Sequence, residues 1–192
     1  MNTPDYPVNY DLGEATAKAK PCGACNGSGY EDYMIYVGFD YNGDVGQRTC
    51  ANCQGFGIEA LAITIPAPTI KPVKKRKTGK MYTRNPMLNA NDHDHWRVQA
   101  PIKKEWRRRG RGYGNALRLR DLHLEHARID YYVNKPTAGR SDAGNFYPTA
   151  KHIIDGLIDA GLLPDDNDNY LDGPFPHQGN KAPYSMTIVI TL

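Results

Sequence analysis

The sequence predicts an α+β domain, close to the α/β class, with a mixed β-sheet and flanking helices. Two stretches have the β-branched composition of strands: EALAITIPAP at 59–68 and APYSMTIVITL at 182–192. A third stretch, PTAKHIIDGLIDAGLL at 148–163, carries apolar residues at the spacing of one helix face. Strands that are mixed with helices and close on a final strand are typical of this fold class.

All four cysteines fall into two C-x-x-C pairs near the N-terminus, Cys22 with Cys25 and Cys50 with Cys53. Two such pairs supply the four thiolates of a tetrahedral Zn²⁺ site, and four thiolates leave no coordination position open for catalysis. The pairs therefore predict one structural zinc ion. Disulfide bonds are the alternative, which an intracellular chain disfavours. Between the pairs, an alternating stretch with a Tyr-Asn-Gly turn predicts a β-hairpin.

Each cysteine pair continues as C-x-x-C-x-G-x-G, which resembles the repeat of the DnaJ cysteine-rich domain over about residues 20–58. Two repeats occur here in place of that domain's four. The resemblance therefore implies a single zinc ion in a small ribbon. The chain accordingly divides into an N-terminal tail with a zinc module, 1–58, and a main domain, 59–192.

The main domain begins with the strand 59–68, which is expected to end at its prolines. After a basic connection rich in proline and asparagine, DHWRVQAPIKKEWRRRG at 94–110 has apolar residues at loosely helical spacing. Pro101 lies inside this window. Because proline lacks a backbone donor, a helix here is expected to start at Pro101 or to kink there.

The second half of the main domain continues with a strand and a helix. The stretch 117–135 predicts mostly a strand, running through Ala127 to Val133. The helix within 148–163 has Pro148 near its first turn and Gly161 near its end, as helix boundaries favour.

Basic residues are concentrated in the middle of the chain. From Lys71 to Arg120 there are 16 Lys and Arg against 3 acids, a net charge of +13, whereas the remainder has 8 bases and 18 acids, a net of −10. Aromatic residues are interleaved with the basic runs, which favours contact with nucleic-acid phosphates over a merely solvated surface. The candidate DNA-binding residues are Lys71, Lys74, Lys75, Arg76, Lys77, Lys80, Lys103, Lys104, Arg107, Arg108, Arg109 and Arg111.

Acidic and polar residues flank the last helix at both ends. Asp142 and Asn145 lie in the turn before it, Lys151 lies one turn inside it, and Asp165 and Asp166 follow it. Carboxylate oxygens suit Mg²⁺ and a nearby lysine suits phosphate, so these residue types fit phosphodiester hydrolysis. A strand after LLPDD that pairs with the strand before AGRSD would bring the two ends together. Singly, each residue is equally explained as a helix cap or a solvated turn.

The stretch GRSDAGNFYPTAKHIIDGLIDAGLLPDD at 139–166 resembles the core of the RusA-type Holliday-junction resolvases. The resemblance implies catalytic roles for Asp142, Asn145, Lys151 and Asp166. It implies Mg²⁺ ligands among Asp142, Asp155, Asp165 and Asp166. This chain departs from the family pattern where Gly144 replaces a second aspartate and where two extra residues precede Lys151. A ligand is therefore missing or is supplied by Asp165 or Asp155.

The resemblance extends backward through AITIPAP and MLNANDHDHW and covers about residues 60–192. It implies a homodimer that binds four-way DNA junctions and nicks opposing strands with Mg²⁺. Such genes are often carried by phages and prophages, which implies a bacterial or phage-infected cytoplasm. The sequence favours a cytoplasmic protein with no membrane partner, because it has neither a signal-peptide pattern nor an apolar run near the roughly 18 residues of a membrane span.

Three other functions fit parts of the pattern. An HNH-type nuclease would join zinc knuckles to a general-base histidine, but the first histidine is His93, far from the cysteines. A non-catalytic zinc-ribbon protein that binds nucleic acid would explain Gly144 as the loss of the acid cluster. A DnaJ-like peptide-binding module would have no need for the basic segment.

Overall fold

The computed structural model describes most of the main domain and shorter pieces of the N-terminal part. The described residues are 8–12, 15–21, 23–24, 26, 30–35, 44–49, 58–70, 73–74, 81–82, 85–92, 95–137, 139 and 141–192. The predicted zinc ligands lie outside them, namely Cys22, Cys25, Cys50 and Cys53. Five candidate DNA-binding residues also lie outside them, namely Lys71, Lys75, Arg76, Lys77 and Lys80.

The described part of the chain contains ten strands. In chain order they are β1 (Val8–Leu12), β2 (Ala15–Pro21), β3 (Tyr30–Ile35), β4 (Asp44–Thr49), β5 (Ile58–Pro66), β6 (Val73–Lys74), β7 (Met81–Tyr82), β8 (Ala127–Lys135), β9 (Leu171–Lys181) and β10 (Ser185–Thr191). Six form one sheet in the order β1-β2-β5-β10-β8-β9, and β3–β4 and β6–β7 form two separate pairs. Neighbours in the large sheet run antiparallel except β8 and β9, which are parallel.

Two α-helices, α1 (Trp96–Ala116) and α2 (Tyr147–Asp159), pack against each other. Two 3₁₀ turns, Leu119–Leu122 and Ala143–Phe146, lie just before β8 and α2. The predicted α+β class with a mixed sheet and helices is confirmed. Within the described residues, neither helix is long and apolar enough to cross a membrane.

Several elements lie where the sequence predicts them. β5 ends at Pro66, β10 is the final strand, and α2 has Pro148 in its first turn. Gly161 follows the end of α2 with φ +88°, a conformation that glycine adopts without strain. Where a hairpin is predicted between the cysteine pairs, β3 and β4 pair antiparallel and align Tyr30 with Thr49. The predicted turn between them lies outside the described residues.

Two local features differ from the prediction. Helix α1 begins at Trp96, with His95 as its N-cap, and continues through Pro101, so a start at Pro101 is wrong. Proline removes one helical hydrogen bond, but packing of the helix on the rest of the domain offsets that loss. The strand predicted through Ala127 to Val133 is confirmed as β8, but residues 117–126 before it form a turn and a 3₁₀ turn.

Strands β1 and β2 lie within the segment 1–58 but belong to the large sheet. β2 pairs with β5, which places Lys18 opposite Ala62, and β1 pairs with β2. Residues 8–12 and 15–21 thus extend the sheet of the main domain. The division of the chain at residue 58 stays a prediction for the residues between Pro21 and β5.

The core lies between the two helices and one face of the sheet. Successive strand residues point to opposite faces, so Ile63, Ile129 and Ile188 share the face that carries the core. They belong to one buried cluster with Trp106 of α1 and Ile153 of α2. This cluster holds both helices on the sheet.

The helices approach so closely that backbone meets backbone at two glycines. A Cβ atom added at Gly156 would lie well inside 3.0 Å of the backbone carbonyl of Arg107, and one added at Gly110 would overlap the carbonyl of Ile153 in the same way. A change of side-chain rotamer cannot relieve either overlap, because the atoms that the added Cβ would meet belong to the main chain. Glycine is therefore required at both positions for the observed helix spacing.

We expect Gly156→Ala to lower the free energy of unfolding by about 1–3 kcal/mol, because the added methyl group must push the helices apart. Gly112→Ala on the exposed side of α1 is the matched control, since nothing lies within 4 Å of the added atom. Alanine at that position should stabilise the helix by about 0.5–1 kcal/mol. Urea unfolding of both variants measures the difference, and equal midpoints would contradict the close packing.

Candidate active site

Asp142 is placed by the turn that leads into α2. It is the N-cap of the 3₁₀ turn Ala143–Phe146, and its Oδ1 accepts a hydrogen bond from the backbone N–H of Gly144 at 2.9 Å. The backbone N–H of Asn145 donates to the Asp142 carbonyl at 3.3 Å. The turn runs directly into α2, so the cap fixes Asp142 at the start of the helical segment.

A neighbouring loop, residues 85–92, is fastened to the same turn. The backbone N–H of Ala90 donates to the Asn145 carbonyl at 2.7 Å. The Thr149 hydroxyl accepts from the N–H of Leu88 at 2.7 Å and donates to its carbonyl at 3.0 Å. These bonds link the approach to α1 with the start of α2.

Lys151 lies one turn inside α2 and joins two aspartates that are distant in sequence. Its Nζ donates to Asp155 Oδ1 at 2.7 Å and also to Asp166 Oδ2. Burial alone would lower the pKa of Lys151, but the hydrogen bonds and charges of both carboxylates outweigh it, and the pKa is raised. The hydrogen bond from Lys151 in turn lowers the pKa of Asp166. The three groups form one charged cluster.

Asp155 has two further basic neighbours. His152 Nδ1 lies 3.6 Å from Asp155 Oδ2, and Arg107 of α1 lies 4.0 Å away. Arg107 itself donates twice to Asp159, at 2.7 and 2.8 Å. Burial lowers the pKa of His152, which favours its neutral form. Asp155 is therefore the most heavily paired of the candidate aspartates.

Asp165 is engaged in the turn after α2. Its Oδ1 accepts from the backbone N–H of Asp166 at 2.8 Å, and its Oδ2 accepts from the side-chain amide of Asn167 at 2.9 Å. These are the bonds of a turn-forming aspartate. They leave the Asp166 side chain directed at Lys151.

An open pocket of about 470 Å³ lies beside Asp142. It is lined by Ser141, Asp142, Ala143, Gly144, Pro176 and Gln178. Gln178 of β9 donates its side-chain amide to the Ser141 carbonyl, and Lys135 Nζ donates to the Ser141 hydroxyl at 2.6 Å. Strand β9 thus forms one wall of the pocket and holds the residue before Asp142.

Tyr131 supports this pocket from the core. Its hydroxyl donates to the Ala143 carbonyl at 3.1 Å, and burial, assisted by the negative charge of Asp142, raises the pKa of Tyr131 to about 12. Tyr131 and Gln178 were missed from sequence. Tyr131 appears only as an apolar strand position, and Gln178 lies in a stretch with no strand periodicity.

The structure assembles the predicted site residues into two groups. Lys151, Asp155 and Asp166 form the charged cluster, whereas Asp142 lines the pocket and Asn145 lies in the same turn, bonded through its carbonyl to Ala90. The strand pairing expected to fold the chain back is present as parallel β8–β9. Among the described residues, no set of three or more His, Cys, Asp or Glu side chains is gathered closely enough to hold a metal ion.

The donor types nevertheless fit a hard cation. Asp142 and Asp166 are exposed carboxylates. The carboxylates of Asp155 and Asp166 already converge on one positive charge, the ammonium of Lys151. Oxygen ligands of this kind suit Mg²⁺, which keeps several waters and needs few protein ligands.

The basic residues of α1 divide into those that form ion pairs and those for which the described part of the chain holds none. Arg108 donates twice to Glu105 at 2.7 Å, and Arg109, with a side chain 13% exposed, bonds Glu105 and the Pro66 carbonyl. Three other basic residues of α1 are candidate DNA contacts, namely Lys103, Lys104 and the exposed Arg111. Within the described part of the chain they form no ion pair. Lys74 lies in β6.

An exposed aromatic residue opens the same helix. Trp96 is 65% exposed, and the Arg97 guanidinium lies 5.4 Å from its ring centre. A cation and an indole at a helix start can contact the phosphates and bases of a nucleic acid.

We expect the stability that Lys151 gives through Asp166 to depend on pH. The pKa of Asp166 is lowered in the folded protein, so this stability is present above the ordinary aspartate pKa near 4 and is lost as pH falls through the lower folded value. The difference in unfolding free energy between the native protein and Lys151→Gln should therefore shrink below about pH 4. Lys104→Gln is the control. If the difference in unfolding free energy stays constant below about pH 4, the Lys151–Asp166 pair is not its source.

No model of a known protein family matches this chain, and a search of curated proteins also gives no match.

Proposed function

We propose that this protein is a Mg²⁺-dependent, structure-selective endonuclease that resolves Holliday junctions or other branched DNA by phosphodiester hydrolysis. The observation that carries the proposal is the contact of Lys151 with Asp166, which lies 15 residues further along the chain. It joins the lysine of the motif that resembles the RusA-type pattern to the last aspartate of that motif, on the helix that follows Asp142 and Asn145.

Each residue has a distinct role in this proposal. Asp142 and Asp166 would hold the cation, with Asp165 or Asp155 assisting, and Asn145 would orient a ligand or water. When bound, Mg²⁺ polarises the phosphate and lowers the pKa of a coordinated water. Lys151 contacts the scissile phosphate, and its raised pKa keeps it positively charged for that task.

The charged cluster supports this role for Lys151. Its ammonium is already paired with two carboxylates, so a phosphate can be bound only by exchange or sharing of one partner. Asp166 is the more exposed of the two, with 35% of its side chain accessible against 16% for Asp155. Asp166 is therefore the partner that can turn from Lys151 to a cation.

The DNA backbone is held by the basic segment. Lys103, Lys104 and Arg111 contribute from α1, together with the basic run that begins at Lys71. The structural zinc module, the homodimer and the cytoplasm of a bacterial or phage-infected cell complete the proposal. They rest on the cysteine pairs and on the family resemblance.

A second function is a zinc-ribbon protein that binds nucleic acid without cutting it. One observation favours it: Asp155 is surrounded by Lys151, His152 and Arg107, while Gly144 offers no carboxylate to the pocket. The HNH-type alternative draws no comparable support from the described residues.

We expect paired nicks on a synthetic four-way junction in Mg²⁺ and far fewer on a linear duplex. Asp142→Asn should slow nicking by roughly 100-fold or more, because a metal ligand is removed. Asp121→Asn, in the 3₁₀ turn after α1, is the matched control and should cut normally. Junction binding by the native protein without cleavage, in Mg²⁺ or Mn²⁺, would favour the non-catalytic function.

We expect Gly144→Asp to lower the Mg²⁺ concentration that gives half-maximal nicking, because it adds a carboxylate to the pocket. A Cβ at Gly144 would lie 3.1 Å from Asp142 Oδ1, a side-chain atom that can rotate. Gly144→Asn has the same shape without the charge and should leave the Mg²⁺ requirement unchanged. If both variants behave alike, position 144 does not supply the missing ligand.

A further inference from the structure

A second polar cluster lies on the side of β8 that faces away from the core. Asp130 is only 8% exposed, yet it lies beside Tyr131, whose side chain belongs to the core. Arg128 donates to both of its carboxylate oxygens, at 2.9 and 3.2 Å, and His177 Nε2 lies 2.6 Å from Oδ1. Burial alone would raise the pKa of Asp130, but the hydrogen bonds from Arg128 and His177 outweigh it and lower it. A buried carboxylate is thus satisfied by two partners from two strands.

His177 is fixed on a second side by Tyr132. The two residues are opposite in the β8–β9 register, and their rings stack with centres 4.7 Å apart. Arg128 packs over Phe175 at 4.4 Å in the same row. The imidazole therefore has one ring face covered and one nitrogen bonded.

This anchoring matters because the pairing of β9 with β8 is irregular. Its register with β8 is interrupted between Arg128 and Asp130 and again between Val133 and Lys135. The longest regular run of pairs extends from Asp130 to Val133. The contacts of His177 lie inside this short stretch, so they fix where β9 sits.

The neighbours of His177 along β9 belong to the pocket. Pro176 and Gln178 point to the opposite side of the strand, as the alternation of a strand requires, and both line the pocket of Asp142. Gln178 donates to the carbonyl of Ser141, the residue before Asp142. A side-chain anchor on one face of β9 is therefore connected to the candidate site on the other.

We propose that His177 is a positioning residue: its bond to Asp130 sets β9 so that Gln178 holds the segment 141–146 in place. Only the consequence for cleavage rests on the proposed function. The connection itself runs through contacts between described residues and involves no bound ligand.

Hydrogen–deuterium exchange on the full chain tests this connection. His177→Phe keeps an aromatic ring beside Tyr132 but loses the donor to Asp130. It should speed exchange of the amides of 141–146 roughly tenfold, the effect of weakening about one hydrogen bond. His177→Gln keeps a nitrogen donor at the position of Nε2 and should exchange close to the native rate.

Two variants of β9 test the last step independently of His177. Gln178→Ala removes the bond to Ser141 and should speed exchange at 141–146 while β5 and β10 stay protected. Asn180→Ala, at an exposed position on the same strand, should leave the exchange rates of the amides of 141–146 unchanged. The proposal would be overturned if His177→Phe speeds exchange only within 171–181. It would also be overturned if Gln178→Ala leaves the exchange of the amides of 141–146 unchanged.

Nicking assays on the same variants separate the two hypotheses. If the native protein cuts, His177→Phe should lower kcat with little change in KM for the junction, whereas His177→Gln should restore cutting. A native protein that does not cut refutes the proposed function, while the exchange rates still decide whether His177 positions the segment. If the native protein cuts, equal rates of cutting in the native protein and His177→Phe would overturn the consequence of this positioning for cleavage.

Discussion

The contact of α1 and α2 at Gly110 and Gly156 is the constraint on which the candidate site depends. Because main-chain atoms meet there, the spacing of the helices cannot be adjusted by a change of rotamer. That spacing brings Arg107 of α1 within reach of Asp155 and Asp159 of α2. The charged surface of α2 is therefore set by two helices that share a backbone interface, and Lys151 lies at its edge.

The parallel pairing of β8 and β9 supplies the second half of the site. Strand β9 follows the turn that carries Asp166 and lies beside β8 in the sheet. This pairing places Gln178 beside Asp142 in the pocket. The sheet thus connects the two groups of site residues, which α2 alone holds apart. Contacts on both faces of β9 matter, since the pocket occupies one face and the Asp130–His177 pair the other.

The sequence allowed prediction of the elements whose patterns are local. α2, β5 and β10 have clear periodicity, and Lys151 and Asp166 were found by residue type and spacing. The strand after LLPDD was expected only as a way to bring the two ends of the motif together. The sequence of β9, LDGPFPHQGNK, has no strand pattern, because it contains two prolines and two glycines and owes its extended form to pairing with β8. The helix glycines were likewise missed, since glycine in a helix normally indicates a weak helix former rather than a close contact. Pairings such as Gln178 with Ser141 are purely tertiary and leave no local signal.

The two tryptophans of the chain lie on one helix in opposite environments. Trp106 is fully buried and donates its indole N–H to the Pro86 carbonyl at 2.8 Å, whereas Trp96 is largely open to solvent beside Arg97. The fluorescence of the two residues can therefore be distinguished by quenching. A dissolved quencher reaches Trp96 in the native protein and reaches Trp106 only when the core opens. Helix α1 thus carries one optical reporter of its exposed start and another of the integrity of the fold.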